Sequence, residues 1–439
     1  MRTFETHTLD ASLVLRGGNV WNQQTKKFET NDILLDQGKI QTVGQVPETS
    51  GREVDISGAS VVPGFLDLHV HFREPGREDK ETIESGARCA VVGGFTSVCP
   101  MPNTDPVIDS AEMIRFLKDR SRSVMVDVLP VGAVTKGQQG KELADIGEMV
   151  QAGAVAISDD GRTIDDAELM RMALEYSRMY DITIMVHAEN RSLSAGGSMH
   201  EGLHSTRLGV KGIPAVSEVI AIQRDIALAE YTDGRVHIQH LTTGAGVELI
   251  RRAKDAGIKV TTEVTPHHLA LCDTDIIDYD THMKMSPPLR TREDRAALIA
   301  GLADGAIDCI GTDHAPHTVW EKELEFDNAP FGVLGLETAF GIVGRELLNS
   351  GAMSLADIVD RMVVAPRRIL GLDVPEIAAG HAANLTIVRL DAAWTVTRDD
   401  LQSRSANTSF MGQTLQGRVI GTICNGQCWL PEMASEATK

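Results

Sequence analysis

The chain has 439 residues, with 62 acidic against 42 basic side chains and a formal net charge of −20. That field repels phosphate backbones and anionic lipid, and aromatics at 4% provide no stacking platform, so nucleic-acid and membrane-surface roles are disfavoured. Hydrophobic residues at 42% suffice for a large core, which excludes a disordered chain and points to a globular enzyme.

The N-terminal MRTFETHTLDASLVLRGG carries acidic residues and lacks an apolar stretch, so it does not read as a signal peptide. No run approaches ~18 apolar residues, and a cytoplasmic location is expected. Residues 1–60 read as short strands and turns, with β-branched residues and glycine punctuation in ASLVLRGGNVW, NDILLDQGKIQTVGQV and EVDISGASVVPG. From residue 61 the rhythm changes. Strands are predicted at 61–70, 95–100, 124–131, 154–158, 182–188, 235–241, 258–264 and 306–312. Amphipathic helical segments such as DDAELMRMALEYSRMYD and GAGVELIRRAKDAG lie between several of them, and the charged GREDKETIESGARCA reads as a helix start with a solvated face. Eight strands alternating with helices predict an α/β fold, a (β/α)8 TIM barrel over residues 61–370. Helical SLADIVDRMVVAPRRILGL closes that region, and strands return in AANLTIVRLDAAWTV and GRVIGTICNGQCWL. Residues 1–60 and 371–439 are therefore expected to form one small β-sandwich domain from both chain ends. The six cysteines are scattered without a CxxC pair and read as buried free thiols.

The chemistry concentrates at the strand ends. In GFLDLHVHFREPG, alternation predicts that Asp67, His69 and His71 face the barrel interior while Leu68 and Val70 face the helices. Two imidazoles turned into a barrel need a partner, and a divalent metal is one. Asp159 and Asp160 follow the fourth strand, His187 ends the fifth, His240 the sixth and Asp313 the eighth. Each has a plainer reading alone: a turn, a packed core histidine, a helix N-cap. Together they occupy the C-terminal rim, where barrel enzymes place their catalytic groups.

The segments DLHVHFREPG, MPNTDP, ISDDG, VHAEN, HIQHLTT and GTDHAPH together resemble the dihydroorotase family, in its type I bacterial form, within the amidohydrolase superfamily. The resemblance runs in order from about residue 55 to 425. It implies a Zn2+ site with one or two ions, two favoured: His69, His71 and Asp313 on the first, His187 and His240 on the second, and Asp160 bridging both. Asp160 rather than Asp159 is chosen for its spacing of 27 residues before His187, and His240 rather than His237 because it precedes LTT. Related hydantoinases and allantoinases typically bridge their metals with a carboxylated lysine, where this chain has aspartate.

The activity so implied is reversible conversion of N-carbamoyl-L-aspartate to L-dihydroorotate in de novo pyrimidine biosynthesis, with Asp313 as the catalytic proton carrier. Substrate contacts are implied for the strand-end residues His71, Phe72 and Arg73, with Arg73 suited to a carboxylate. Asn103 and His317 are implied as further contacts, and Phe331 and Gly332 as the segment meeting the ring amides. One departure stands out: the usual NPPLR reads SPPLR here, placing Ser286 at a substrate position. His267 and His268 read as packing or supporting residues, and His314 as facing away from the site. A homo-oligomer, preferably a dimer, is expected, with an aspartate transcarbamoylase as a further partner. The alternatives are a hydantoinase- or allantoinase-like amidase, and a non-catalytic homologue that scaffolds the transcarbamoylase.

Overall fold

The first strand of the barrel begins one residue after a strand of a different sheet. Ser60–Pro63 pairs antiparallel with Leu385–Thr395, and Phe65–Val70 pairs parallel with Phe95–Pro100. The segment expected as a single strand at 61–70 is thus two, divided at Gly64. A Cβ on Gly64 would lie 2.1 Å from Thr96 Oγ1 and 2.2 Å from Asn384 Oδ1, so only glycine permits this approach. The computed structural model describes residues 4–47 and 51–431.

All the expected barrel strands are present, most of them shorter than predicted. Phe65–Val70, Phe95–Pro100 and Asp127–Val128 form one parallel arc. Val131–Gly132, Ala156–Ser158, Ile184–Val186, Val236–Ile238, Val260–Val264 and Cys309–Ile310 form the other. The third strand position is split around Pro130, which has no N–H to continue the ladder. The eighth and first strands meet where His71 N donates to His314 O at 2.9 Å and Thr312 N donates to Asp67 Oδ1 at 3.0 Å, completing the ring.

The expected alternation fails at one point. Leu66 and Leu68 pack with Cys99, Met101, Val131, Ala156, Met185 and Cys309 in one cluster. Residues of opposed strands meet there, so this is the barrel interior, and Leu68 faces inward rather than toward the helices. Val70 joins the helix-facing cluster, as expected. The cause is a register shift between Asp67 and Val70. It reverses the phase of the strand, so that Leu68 and His69 are both interior although adjacent. Asp67 turns to the Thr312 hydroxyl, 2.5 Å away, instead of into the site. Ala365 and Ile369 of the helix Ala365–Leu370 close the bottom of the interior.

Both chain ends build a nine-stranded sheet around a second core of Leu13, Leu15, Ile33, Leu35, Val61, Leu385 and Ile387. The charged segment after the first barrel strand also differs from expectation. The helix begins only at Ile83, capped by Thr82, and Lys80 and Glu81 are buried. Among the described residues no helix is long and apolar enough to cross a membrane.

Candidate active site

The rim residues converge. Asp160 follows Ala156–Ser158, His187 follows Ile184–Val186, His240 follows Val236–Ile238 and Asp313 follows Cys309–Ile310. His240 (φ 34°), Asp313 (φ 47°) and Arg73 (φ 61°) all occupy the left-handed region. For non-glycine residues each such conformation costs about 1–3 kcal/mol, and the surrounding structure must impose it.

Asp160 stands at the centre. Its Oδ2 lies 3.4 Å from both His69 Nε2 and His71 Nε2, while its Oδ1 lies 3.6 Å from His240 Nε2 and 3.8 Å from His187 Nδ1. Each oxygen therefore serves a separate pair of imidazoles. Asp313 Oδ1 sits beside the first pair, 3.1 Å from His71 Nε2 and 3.6 Å from His69 Nε2. All these residues are buried. Among the described residues His69 Nε2 and Asp160 Oδ1 find no hydrogen-bond partner. His187 Nδ1 and His240 Nε2 approach to 2.8 Å. Burial pushes the His69 imidazole down, yet Asp160, Asp313 and Glu263 outweigh it and hold it well above its ordinary value. Orphaned lone pairs and several carboxylates gathered at one buried site call for a cation. Imidazole and carboxylate donors within 4.8 Å of one another fit a metal ion.

The opposite ring nitrogens are tied down. His69 Nδ1 meets Glu263 Oε1 at 2.7 Å, and His71 Nδ1 meets Asn103 Oδ1 at 2.9 Å. Each contact turns the other nitrogen toward Asp160. Ser158 Oγ accepts from Asp160 N and donates to Gln239 Oε1, both at 3.0 Å. Sequence reasoning missed Glu263, although a glutamate inside the apolar VTTEV strand was a visible signal. The paired choices also separate. Asp159 accepts Val134 N at 2.8 Å and Thr135 N at 3.1 Å, bracing a loop, and His237 faces Glu263 and Thr261.

A cavity of about 320 Å³ opens over the cluster, lined by His71, Arg73, Asn103, His317 and Asp313, with Ser286, Phe331 and Gly332 on its wall. Glu189, Gly161 and Ala315 line it as well and were not anticipated. Phe72 does not line it: its ring packs on Gly86 in the core, while the chain beyond the strand end carries His71 and Arg73 to the cavity side. Arg73 is half-buried, donates to Pro316 O at 3.2 Å, and among the described residues no carboxylate reaches its guanidinium. Burial pushes that guanidinium down to about 10. His317 Nε2 lies 2.8 Å from Phe331 O, and Gly332 N donates to Lys284 O at 2.9 Å. His314 faces away, its Nδ1 accepting Gly335 N at 3.2 Å, and His268 is held by Thr265 and Pro287 outside the cavity.

A family model described as dihydro-orotase-like matches residues 58–245. The chain is 48% identical to a dihydroorotase of Pelotomaculum thermopropionicum over 94% of this chain and 97% of that one. It is 46% identical to a dihydroorotase of Pelobacter propionicus over 95% and 99%. Among solved structures it resembles an L-hydantoinase from Arthrobacter aurescens, with TM-score 0.84 and 25% identity over 95% and 96% of the two chains. A dihydropyrimidinase from Brevibacillus agri gives TM-score 0.82 at 21% identity over 96% and 95%, a likeness of fold. The barrel architecture is thus shared with cyclic amidases, while identity of nearly half along almost the whole length is shared with dihydroorotases. The chain belongs to the dihydroorotase family.

Proposed function

We propose that this chain interconverts N-carbamoyl-L-aspartate and L-dihydroorotate, the ring-closing step of de novo pyrimidine biosynthesis. The observation that carries the reading is Arg73, a guanidinium that no carboxylate reaches among the described residues, facing the same cavity as the His/Asp cluster. It suits a substrate that keeps one free carboxylate while a second carboxyl, or the ring amide, reacts at the metal.

Two zinc ions are the reading we favour, since Asp160 offers one oxygen to each pair of histidines. The chemistry the metal supplies when bound is acidification of a water molecule, from ~15.7 to about 7, and polarisation of the amide carbonyl. The chain's own residues do the rest. Burial would raise the Asp313 carboxyl, but His69, His71 and His240 hold it well below the usual carboxylate range, so it is ionised and ready to accept a proton. In hydrolysis Asp313 takes the proton of the attacking water and delivers it to the ring nitrogen as the C–N bond breaks. In ring closure it takes the ureido proton as that nitrogen attacks the carboxyl carbon and passes it to the displaced oxygen, which with one further proton drawn from solvent leaves as water. Arg73, with Asn103 and His317 beside it, holds the carboxylate that does not react. Ser286 offers one hydroxyl at the cavity wall where the usual asparagine offers an amide, which is compatible with a water-bridged ring contact.

The same reading places the enzyme in the cytoplasm, which suits its six free buried cysteines, and expects a homodimer, for which exposed Val216 and Ile220 supply apolar surface. Association with an aspartate transcarbamoylase belongs to it as well. The test is dihydroorotate hydrolysis by purified protein before and after chelation and zinc add-back, with hydantoin and allantoin as controls. Turnover of dihydroorotate that chelation abolishes and zinc restores is expected; zinc-loaded protein that hydrolyses only the controls would replace the reading with a hydantoinase-type amidase.

A further inference from the structure

Lys80 is a buried lysine that the reaction described above does not use. It lies in the loop between Phe65–Val70 and the helix Ile83–Gly93. Its backbone is fixed at both ends: Lys80 N donates to Arg77 O at 3.0 Å, and Lys80 O accepts from Ser405 Oγ at 2.9 Å. The ammonium has two neighbours, Glu321 Oε1 at 2.8 Å and His317 Nδ1 at 3.1 Å. The carboxylate alone would make an ordinary ion pair. The second contact reaches a ring on the wall of the reaction cavity.

An ammonium has donors only, so Nδ1 of His317 must accept. The single proton of the neutral ring then sits on Nε2, which lies 2.8 Å from Phe331 O and 3.5 Å from Arg73 Nη2. Phe331 O is an acceptor, so the Nε2 proton points at the cavity wall beside the guanidinium. Burial, with Arg73 and Lys80 alongside, pushes the His317 imidazole down to about 2 and keeps it neutral. The backbone amide of His317 is held as well, donating to Asn407 Oδ1 at 3.1 Å.

We propose that Lys80 is a positioning residue for substrate recognition: by occupying Nδ1 of His317 it fixes the ring as an Nε2–H donor to Phe331 O, so that the wall segment carrying Phe331 and Gly332 is held in place beside Arg73. Without Lys80 the ring is free to carry its proton on Nδ1, where Glu321 Oε2 lies 3.5 Å away, which leaves the Nε2 lone pair against Phe331 O and loosens that wall. Glu321 neutralises the buried ammonium, so the wall is anchored without a second net charge beside Arg73.

The inference rests on the proposed reaction for its substrate, and the test separates the two. Imidazole 15N resonances of the metal-loaded enzyme, assigned to His317 by their loss in His317→Asn, report the tautomer without any substrate. In the unaltered enzyme His317 is expected to be the Nε2–H tautomer alone. A ring protonated on Nδ1 overturns the proposal whether or not any variant folds. Lys80→Met is expected to lose the fixed tautomer and raise KM for dihydroorotate about tenfold, with kcat changed by less than about twofold. Lys80→Arg, which keeps a donor, is expected to recover the tautomer and most of the affinity. Lys80→Met with the tautomer intact, or with the tautomer altered and KM unmoved, overturns it. An Nε2–H ring in a protein with no dihydroorotate turnover would sink the proposed reaction and leave the Lys80–His317 relation standing.

Discussion

Glu263 Oε1 lies 2.7 Å from Nδ1 of His69, and both side chains are fully buried. The carboxylate comes from the seventh barrel strand and the imidazole from the first, so the contact crosses the barrel beneath the reaction cavity. It holds a proton on Nδ1 and turns Nε2, the ring atom suited to ligate a metal, toward Asp160. His237 Nε2, 3.4 Å from Glu263 Oε2, supports the same carboxylate from the sixth strand. Glu263→Gln keeps the shape and removes the charge. Metal affinity is expected to fall about 10–100-fold, read by competition with a chromophoric chelator. An unchanged affinity would mean that the carboxylate serves packing only.

Asp313→Ala removes the group placed to carry the proton and one donor beside His69 and His71. Turnover is expected to fall by at least about 10²–10⁴-fold, with the far-ultraviolet circular dichroism spectrum unchanged. A folded variant with near-normal kcat would remove Asp313 from proton transfer.

Arg73→Met tests the guanidinium on the cavity wall. Charge-assisted hydrogen bonds to a carboxylate contribute about 1.5–3 kcal/mol, so kcat/KM for dihydroorotate is expected to drop by about 10–100-fold. The loss should appear mainly in KM. A change confined to kcat would place Arg73 in the chemical step instead of in binding.

His317 links stability to pH. Folded, it is pushed down to about 2; in the unfolded chain an imidazole titrates near ~6.5. Below ~6.5 the unfolded chain binds a proton that the folded ring refuses, so stability is lost as pH falls. The slope from this one group is about 1.4 kcal/mol per pH unit, and above ~6.5 it vanishes. Urea unfolding of the metal-free protein between about pH 6 and 4 should show a shallower pH dependence in His317→Asn by that amount. Identical slopes in the two proteins would mean that folded His317 titrates normally.

The site was more legible than the strand that carries it. His69, His71, Asp160, His187, His240 and Asp313 stand out in the sequence because ionisable residues at the ends of apolar runs are expensive to bury, and the structure brings all six together. Alternation then failed where its assumption of an unbroken ladder failed: the register shift between Asp67 and Val70 puts Leu68 inside and Asp67 against Thr312. Phe72 was read with its motif neighbours, but a motif is contiguous in sequence while its side chains diverge in space. Lys80 and Glu81 look like surface charges because their partners, His317 and Ser403, lie more than two hundred residues away. Glu263 and Gln239 were visible letters whose partners only the closed barrel supplies.

Gly64 joins the strand Ser60–Pro63, clamped by Leu385–Thr395, to the strand that presents His69 and His71. The histidines are therefore moored to the last quarter of the polypeptide through a tether one residue long. Trimming the chain to a minimal barrel would cut that mooring, and the terminal sheet is in this sense a mechanical part of the catalyst.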